Sequence, residues 1–271
     1  MPNLIVSIIA DYGDLHDLAF AEVTQRLFFE LQSKNVTIKP YAVPAFDTTS
    51  TGFALAQTAI NSKLGSDHKF FVNTAPRKDN LGPRDKNAGE GLAYVKLYNG
   101  IEIVAVNSGY SLSFVKNAAI EIRQINCAIE GSQFRSRDVF PVSFGKIALG
   151  NYEELGDDIH KNIPDYPKNV VCYIDGYGNI KTSVDPQDIE NIQGEDITLE
   201  INGQQQLVRA SAEIFGVADG QYSFAKGSSG WNLPDGQRLN FSEIVKRGGN
   251  AAATFGSPQG GEKISWRTPS Q

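Results

Sequence analysis

Histidine, cysteine and methionine are scarce in this chain of 271 residues, which contains three, two and one of them. The histidines, His16, His68 and His160, are scattered, without the spacing that builds a zinc or iron site. Cys127 and Cys172 lie far apart, each in an apolar, strand-like stretch. We therefore expect two buried thiols rather than a disulfide, and no metal site.

Basic residues are also few relative to acidic ones. The chain has 25 Lys and Arg and 31 Asp and Glu, which gives a net charge of -6. Without a basic stripe to neutralise phosphates, the chain is not expected to bind nucleic acid or an anionic membrane. The longest amino-terminal apolar run is too short to span a bilayer and lacks a basic flank. We therefore expect no signal peptide or membrane helix, and a cytoplasmic location.

The standard catalytic signatures are missing too. The sequence has no P-loop, no dinucleotide-binding glycine fingerprint, no nucleophile elbow and no paired histidines at helical spacing. A chain of this length can nevertheless bury a sizeable core and form two domains. Function has to be sought in less general patterns.

The first strong pattern is residues 4–9, a mostly apolar run without polar alternation, which is typical of a strand buried inside a parallel sheet. Asp11 follows at the carboxyl end of this strand, the edge where ligands bind in open α/β sheets. Gly13 permits a tight turn, and Asp14 can cap the next helix, with Asp17 adding favourable charge. Asp11 is therefore either a ligand-binding carboxylate or a residue that satisfies local backbone groups.

The first half of the chain alternates strands and helices. Periodicity predicts helices over 15–32, 51–64 and 142–149, and strands over 36–42, 70–72 and 120–125. Asn99-Gly100, between apolar runs, predicts a hairpin. This order predicts an α/β domain with a mainly parallel sheet over 1–155, followed by a linker over 156–168.

The second half, residues 169–271, changes character. Short strands separated by Gly, Asn, Asp and Pro turns predict a smaller all-β domain, an antiparallel sandwich or barrel. The segment 241–246 is predicted as either a last strand or a short helix. The predicted strands cover 170–174, 180–184, 197–201, 206–210 and 222–225.

Seven short segments follow one another in a recognisable order: IIADYG (8–13), VPAFD (43–47), FALA (53–56), FRSRDVF (134–140), YEELG (152–156), YIDGYGNI (173–180) and GSSG (227–230). In this order they resemble the S-adenosylmethionine hydroxide adenosyltransferase family, which includes the fluorinase and chlorinase enzymes. The resemblance covers nearly the whole chain. It implies two domains and a homotrimer whose ligand sites lie between the first domain of one subunit and the second domain of its neighbour.

The resemblance also implies a reaction. Family members displace methionine from the 5′ carbon of S-adenosylmethionine with water or a halide, without a metal or other cofactor. The sulfonium is already an activated leaving group, so the protein mainly aligns and desolvates the nucleophile. Acid–base groups matter only when water attacks, since a halide has no proton to lose.

The resemblance also implies roles for individual residues. Asp11 matches the acid that holds the ribose hydroxyls, and Phe46 matches an aromatic near the sugar. Asp175 matches the acceptor of the methionine ammonium, while Tyr177 and Asn179 match the residues that stack on and hydrogen-bond to adenine. Two alternatives remain: Phe46 is a core aromatic under a turn, or the segment around Asn179 is only a turn between strands.

Further positions complete the implied binding site. Ser228 and Ser229 match the region that meets the methionine carboxylate. Lys246 to Gly248 lie where backbone groups meet the edge of adenine.

The sequence departs from the family pattern at positions that take part in the reaction. Where the hydrolases have an Asp after the third strand, this chain has Asn73, and Arg77 is only a shifted candidate for the following Arg. The hydrolase His is Arg135, while Ser136 matches the position that holds a halide in the fluorinase. Neither an amide nor a guanidinium can serve as the base that activates water at neutral pH.

Two hypotheses follow. The first is an enzyme that cleaves S-adenosylmethionine to methionine and adenosine, or a 5′-substituted adenosine. The second is a catalytically silent relative that binds an adenosine compound or another small molecule. A third possibility, an altered pocket for another nucleoside or an anionic nucleophile, is suggested by Arg135, whose guanidinium suits carboxylate or phosphate.

Overall fold

A computed structural model describes residues 3–32, 34–75, 90–128 and 132–268. The chain divides into two compact units, Met1–Asp165 and Tyr166–Gln271. The boundary falls inside the predicted linker, although residues 156–158 at its start belong to a strand. Arg77 and most of the polar loop around it lie outside the described residues.

In the first unit, the described strands form one seven-stranded sheet in the order β2-β1-β3-β5-β4-β6-β7. Runs of Val, Ile, Leu and Phe make its central strands fully buried, as expected for strands covered on both faces. The strands are β1 (Leu4–Ala10), β2 (Val36–Ala42), β3 (His68–Asn73), β4 (Leu92–Leu97), β5 (Glu102–Val106), β6 (Ala119–Ile125) and β7 (Leu155–Asp158).

The prediction of a mainly parallel sheet was wrong for half of this unit. Strands β2, β1, β3 and β5 run parallel, but β4 pairs antiparallel with both β5 and β6, and β6 pairs antiparallel with β7. The physical reason is the hairpin at Asn99-Gly100, where Gly100 has a φ of +86°. A tight hairpin forces its two strands to run antiparallel, and the sheet continues from that pair.

The helices of the first unit begin and end differently from their predicted bounds. Asp17, rather than Asp14, is the N-cap of the first helix, because its side chain accepts a hydrogen bond from Ala19 N. Asp47 caps the second helix by accepting from Ser50 N. The helices are α1 (Leu18–Glu30), α2 (Thr48–Ala59), α3 (Arg135–Asp138) and α4 (Phe140–Ala148).

In the second unit the described strands form another seven-stranded sheet, in the order β14-β10-β11-β12-β13-β9-β8. An isolated bridge between Val170 and Lys263 connects the segments that precede its two edge strands. The strands are β8 (Val171–Ile174), β9 (Ile180–Thr182), β10 (Asp196–Ile201), β11 (Gln204–Ala210), β12 (Tyr222–Asn232), β13 (Arg238–Lys246) and β14 (Ile264–Arg267).

This unit corrects the prediction of a purely antiparallel, all-β domain. Strands β11 and β12 pair in parallel, because residues 211–221 cross over between them instead of forming a hairpin. Two short helices are present, α5 (Pro186–Glu190) and α6 (Ala251–Thr254). The ambiguous segment 241–246 is strand, and residues 264–267 form β14.

The sequence also led to expectations about the cysteines, metal sites and membrane helices. Cys127 and Cys172 are free thiols, Cys172 fully buried and Cys127 half-buried. Across the described ranges, no cluster of His, Cys, Asp and Glu could hold a metal ion. In the same ranges no helix is long and apolar enough to cross a membrane.

Candidate functional site

The carboxyl ends of β1, β2 and β3 meet at one edge of the first sheet. Ala10, the last residue of β1, pairs with Ala42 of β2 and Asn73 of β3. Beyond the ladder, Asp11 N donates to Asn73 O at 3.3 Å. Loops that leave parallel strands at this edge are the usual ligand-binding loops of α/β sheets.

Asp11 fixes the loop that follows β2. Its Oδ2 accepts a hydrogen bond from Phe46 N at 2.9 Å, and Phe46 has a φ of +63°, a left-handed conformation that bulky residues rarely adopt. The Phe46 side chain is 44% exposed, so it is not a core aromatic. Strained backbone of this kind is commonly found at functional sites.

The Tyr12 hydroxyl joins two segments that are distant in sequence. Asn73 Nδ2 donates to Tyr12 Oη at 2.8 Å, and the Ser136 side chain lies close enough to the same hydroxyl to influence its pKa. The rings of Phe20 and Phe134 pack edge-on against the Tyr12 ring, with centroids 5.1 and 6.3 Å away. Burial raises the pKa of Tyr12 above its ordinary value, so the phenol is protonated at neutral pH.

Arg135, at the start of α3, is held by neighbours of its own. Its Nη1 donates to Glu90 O at 3.4 Å, and its Nη2 lies 3.9 Å from Cys127 Sγ. The guanidinium stacks over Phe140, 4.7 Å from the ring centroid. A guanidinium stays protonated in proteins, so this group supplies donors and charge but cannot act as a base.

A layer of three buried hydroxyl residues lies next to this edge of the sheet. Thr51 Oγ1 lies 2.9 Å from Thr74 Oγ1, one residue after Asn73, and Ser108 Oγ donates to Thr74 O. All three hydroxyl residues are buried. The layer ties α2 and the loop after β5 to the end of β3, and so fixes where Asn73 points.

In the second unit, Asp175 closes the turn between β8 and β9. Its Oδ1 accepts from Tyr177 N at 2.9 Å and Asn179 N at 3.0 Å, and its Oδ2 accepts from Asn179 Nδ2 at 3.0 Å. Burial acts to raise the pKa of Asp175, but these hydrogen bonds and nearby Lys181 outweigh it, and the pKa lies below its ordinary value. The carboxylate is therefore ionised and orients the Asn179 amide.

Lys181 and Glu243 extend this turn into a charged cluster. Lys181 Nζ lies 3.3 Å from Asp175 Oδ2 and donates to Glu243 Oε1. Glu243 is 2% exposed, and its Oε2 has no hydrogen-bond partner within the described part of the chain. A Cβ on Gly227 would lie 2.7 Å from Oε2, so only glycine fits there without a shift. An internal lysine thus pairs with both carboxylates, Asp175 and Glu243.

The remaining predicted positions flank this cluster. Tyr177 is 82% exposed at the tip of the turn. Ser228 (exposed) and Ser229 (buried) lie in an irregularity of β12 between Lys226 and Gly230.

The segment that carries Lys246 and Gly248 runs from the end of β13 to α6. Lys246 Nζ lies 5.1 Å from the centroid of the Tyr222 ring. Gly248 has a φ of +71°, and a Cβ there would lie 2.2 Å from Asp219 Oδ1. The segment is anchored to the turn, because Ala252 N donates to Gly178 O at 2.9 Å.

Sequence reasoning missed three residues that these contacts bring in: Tyr12, Lys181 and Glu243. Glu243 precedes the apolar pair Ile244-Val245 in β13, and an acid buried in such a place requires a nearby cation. That signal could have identified Glu243 and prompted a search for Lys181. No local sequence feature indicated a role for Tyr12, because its neighbours Asn73 and Ser136 are remote in sequence.

The fold defines a class of protein with an α/β unit that carries a mixed sheet and a second, sheet-rich unit. No protein-family model and no curated protein matches the sequence. The chain is similar to the crystal structure of an uncharacterized conserved protein from Thermotoga maritima, at 18% identity and a TM-score of 0.67, covering 96% of this chain and 99% of that one.

It is also similar to the crystal structure of a conserved hypothetical protein from Thermus thermophilus. Here the identity is 19% and the TM-score 0.63, over 97% of this chain and 100% of that chain. These two likenesses extend over both units and show the fold alone.

Proposed function

We propose that this protein binds S-adenosylmethionine, or a closely related adenosyl compound, and displaces the group on its 5′ carbon with a small nucleophile. One observation carries the proposal: Asp11, the strained Phe46 and the Tyr12–Asn73 pair converge at the carboxyl edge of the first sheet. The order of the sequence motifs supports the same class of ligand.

Asp11 is the proposed ribose-binding group. A carboxylate can accept several hydrogen bonds at once, so holding Phe46 N is compatible with accepting from a cis-diol. The exposed ring of Phe46 then offers an apolar surface beside the sugar.

Asn179 and Tyr177 are the proposed adenine-binding groups. One N–H of the Asn179 amide donates to Asp175, which fixes the amide plane. The amide oxygen and second N–H can then pair with a base edge, while the exposed Tyr177 ring can stack on its face. In this proposal Asp175 positions Asn179. Asp175 can also bind a ligand ammonium only if Lys181, which pairs with both Asp175 and Glu243, leaves room for a second cation.

The chemistry needs little from the protein beyond alignment. A sulfonium leaves as a neutral thioether, so the site has only to hold the nucleophile behind the 5′ carbon in a dry, oriented pocket. The proposal requires no metal or cofactor, with S-adenosylmethionine as substrate. Ser136 is the proposed contact for the nucleophile, and Asn73 acts through Tyr12.

A second candidate function is binding without turnover. The contacts of Asn73 and Arg135 favour it, because neither residue can accept a proton from water and both are engaged by neighbouring groups. Under this alternative the protein is a sensor or partner module for an adenosine compound.

The test begins with calorimetry of the purified chain with S-adenosylmethionine and adenosine. Asp11→Asn keeps an acceptor for Phe46 N but removes the charge, so we expect binding to weaken about tenfold with the fold intact. Asp14→Asn is the matched control, since Asp14 is an exposed acid in the same loop whose side chain accepts only from His16 N among the described groups. Equal effects of both changes would remove Asp11 from the site.

The homotrimer implied by the resemblance is a separate proposal. Light scattering coupled to size-exclusion chromatography measures the mass directly. A trimer predicts three times the 29.5 kDa of one chain. A monomer that still binds the ligand would contradict a site that two neighbouring subunits share.

A further inference from the structure

Strands β11 and β12 of the second unit pair over a very short distance. Their parallel pairing covers only Arg209 and Ala210 of β11, opposite Ser223 and Phe224 of β12. The preceding half of β11, residues 204–208, pairs with β10 on one side and has no ladder partner among the described strands on the other. This open edge has the sequence QQQLV, without the lysine, proline or bulge that usually protects an exposed strand edge.

The backbone of Leu207 faces the open edge. Ala210 N donates to Glu195 O, and Ser211 N donates to Phe224 O, so Ala210 faces the β10 side and Ser211 faces the β12 side. Backbone groups alternate between the two edges along a strand, so Leu207, four residues before Ser211, faces the same side as Ser211. The β12 ladder does not extend to Leu207, which leaves this edge able to pair with one more strand.

A cavity of about 780 Å³ lies along the open edge. One wall is β11 at Gln206, Leu207 and Arg209, and the other is formed by the crossover segment 215–222. We call this space the β11 groove. Leu207 and Phe215 are 67% and 63% exposed, so both apolar side chains can contact a chain that lies in the groove.

The β11 groove carries positive charge at one end. The Arg247 guanidinium lines it, with Nη1 donating to Val217 O at 2.6 Å, and no carboxylate of the described residues pairs with it. Arg209 also lines the groove, and its Nη1 lies 3.1 Å from Oδ1 of Asp196. Glu213 lines a smaller cavity of about 250 Å³ beside Arg209, so an incoming carboxylate is favoured at the Arg247 end.

The charges favour an acidic peptide over a second copy of this chain. A second copy that paired through the same edge would bring its own Arg209 and Arg247, and like charges across paired strands are destabilising. An extended peptide can pair its backbone with Leu207, while a carboxylate side chain forms a charge-assisted contact with the guanidinium of Arg247.

We propose that the β11 groove binds an extended segment of another protein, which adds a strand to the open edge of β11 and places an acidic side chain at Arg247. Backbone hydrogen bonds supply affinity in this mode of recognition, and side-chain contacts supply selectivity. The inference goes beyond the proposed function and does not depend on it, because no adenosyl compound takes part.

The experiment measures the fluorescence anisotropy of fluorescein-labelled peptides mixed with the full chain. The acidic probe is TVEVEVT, which is rich in strand-forming residues. The matched probes are TVQVQVT, TVKVKVT and TVEPEVT, the last with a proline that cannot pair in the middle of a strand. The acidic probe should bind at least about tenfold more tightly than each of the other three.

Substitution of Arg247 tests the charged contact. Arg247→Gln should weaken binding of the acidic probe about tenfold and leave binding of the glutamine probe unchanged. Arg247→Lys keeps the charge but loses the planar fork, so it should recover part of the affinity. Arg238→Gln, at the opposite end of β13, is the matched control. Circular dichroism of each variant checks that the fold is intact.

Hydrogen exchange measured by NMR distinguishes strand addition from attraction between charges alone. The bound acidic probe should slow exchange of the Leu207 amide about tenfold or more, because this N–H then donates to the peptide. Free glutamate at the same concentration should leave that exchange rate unchanged.

Four results would overturn the proposal. The first is binding of the lysine probe as tight as that of the acidic probe, and the second is acidic-probe binding that Arg247→Gln leaves unchanged. The third is unchanged exchange of Leu207 with the acidic probe bound, or no binding at about 1 mM peptide. The fourth is a dimer of the chain whose formation slows exchange of Leu207, since a second copy would then occupy the groove.

Discussion

The ammonium of Lys181 lies 3.3 Å from Oδ2 of Asp175, the carboxylate that the family resemblance assigns to the ligand's ammonium. Lys181 also donates to Glu243, which is almost completely buried. The protein therefore supplies a cation of its own beside Asp175. A ligand ammonium at this carboxylate would have to displace Lys181 or lie beside it.

Lys181→Met should destabilise the second unit. The change leaves Glu243 buried without its cation, which costs about 3 kcal/mol in comparable buried pairs. Urea unfolding followed by circular dichroism measures the loss. Lys181→Met/Glu243→Gln removes both charges and should recover most of it. A single variant as stable as the wild type would show that the pair contributes little.

Gly178→Ala should disrupt the turn that carries Asp175 and Asn179. Gly178 has a φ of +80°, and an added Cβ would lie 2.1 Å from Asn250 Oδ1, so we expect a loss of about 2 kcal/mol or more. Gly176→Ala is the control in the same turn, because a Cβ there would meet nothing within 4 Å. Thermal unfolding of both variants compares them directly, and equal stabilities would contradict this geometry.

Asp11→Ala should cost about 1 kcal/mol of stability, since it removes the acceptor that holds Phe46 N in its left-handed conformation. Asp11→Asn keeps an acceptor oxygen and should cost less. Chemical denaturation ranks the two variants. The reverse ranking would mean that the charge of Asp11, rather than its hydrogen bond, stabilises the loop.

A buried network around Glu102 predicts an alkaline loss of stability. The hydroxyls of Tyr94 and Tyr152 donate to Glu102 Oε1 at 2.7 and 2.8 Å, and Lys69 pairs with Oε2. Burial and the hydrogen bond to Glu102 raise the pKa of Tyr152 to about 12. Because the folded pKa exceeds the unfolded value, this contribution is present below pH about 10 and is lost as the pH rises toward 12.

Tyr152→Phe removes the part of this loss that Tyr152 contributes. Melting temperatures from about pH 8 to about pH 12 should therefore fall less steeply in the variant than in the wild type. Tyr166→Phe, in the second unit, is a control that should keep the wild-type slope. Parallel pH profiles for all three proteins would contradict the assignment.

Local sequence patterns predicted most of the strands, because a buried strand requires a run of apolar residues. Strand β2 has its predicted bounds, and Asn99-Gly100 forms the predicted hairpin. The parallel sheet was overextended because periodicity does not state strand direction, which the hairpin sets. Helix α1 begins later than predicted because two acids, Asp14 and Asp17, compete as caps, and only Asp17 meets the first-turn N–H groups.

The candidate site was predictable only in part. Asp11 was found because strand ends in α/β sheets are functional edges, and the structure places Phe46 and Asn73 beside it. The partner of Tyr12 and the cation beside Asp175 depend on long-range pairing of strands. A single sequence carries no local signal for such contacts, so they emerged only from the structure.

The most direct measurement of the central claim is product analysis after incubation of the purified protein with S-adenosylmethionine, with and without chloride. The proposed function predicts release of methionine together with adenosine or a 5′-substituted adenosine, and slower release by Asp11→Asn at limiting S-adenosylmethionine. Unchanged S-adenosylmethionine, with no binding detected by calorimetry on the same sample, would contradict it.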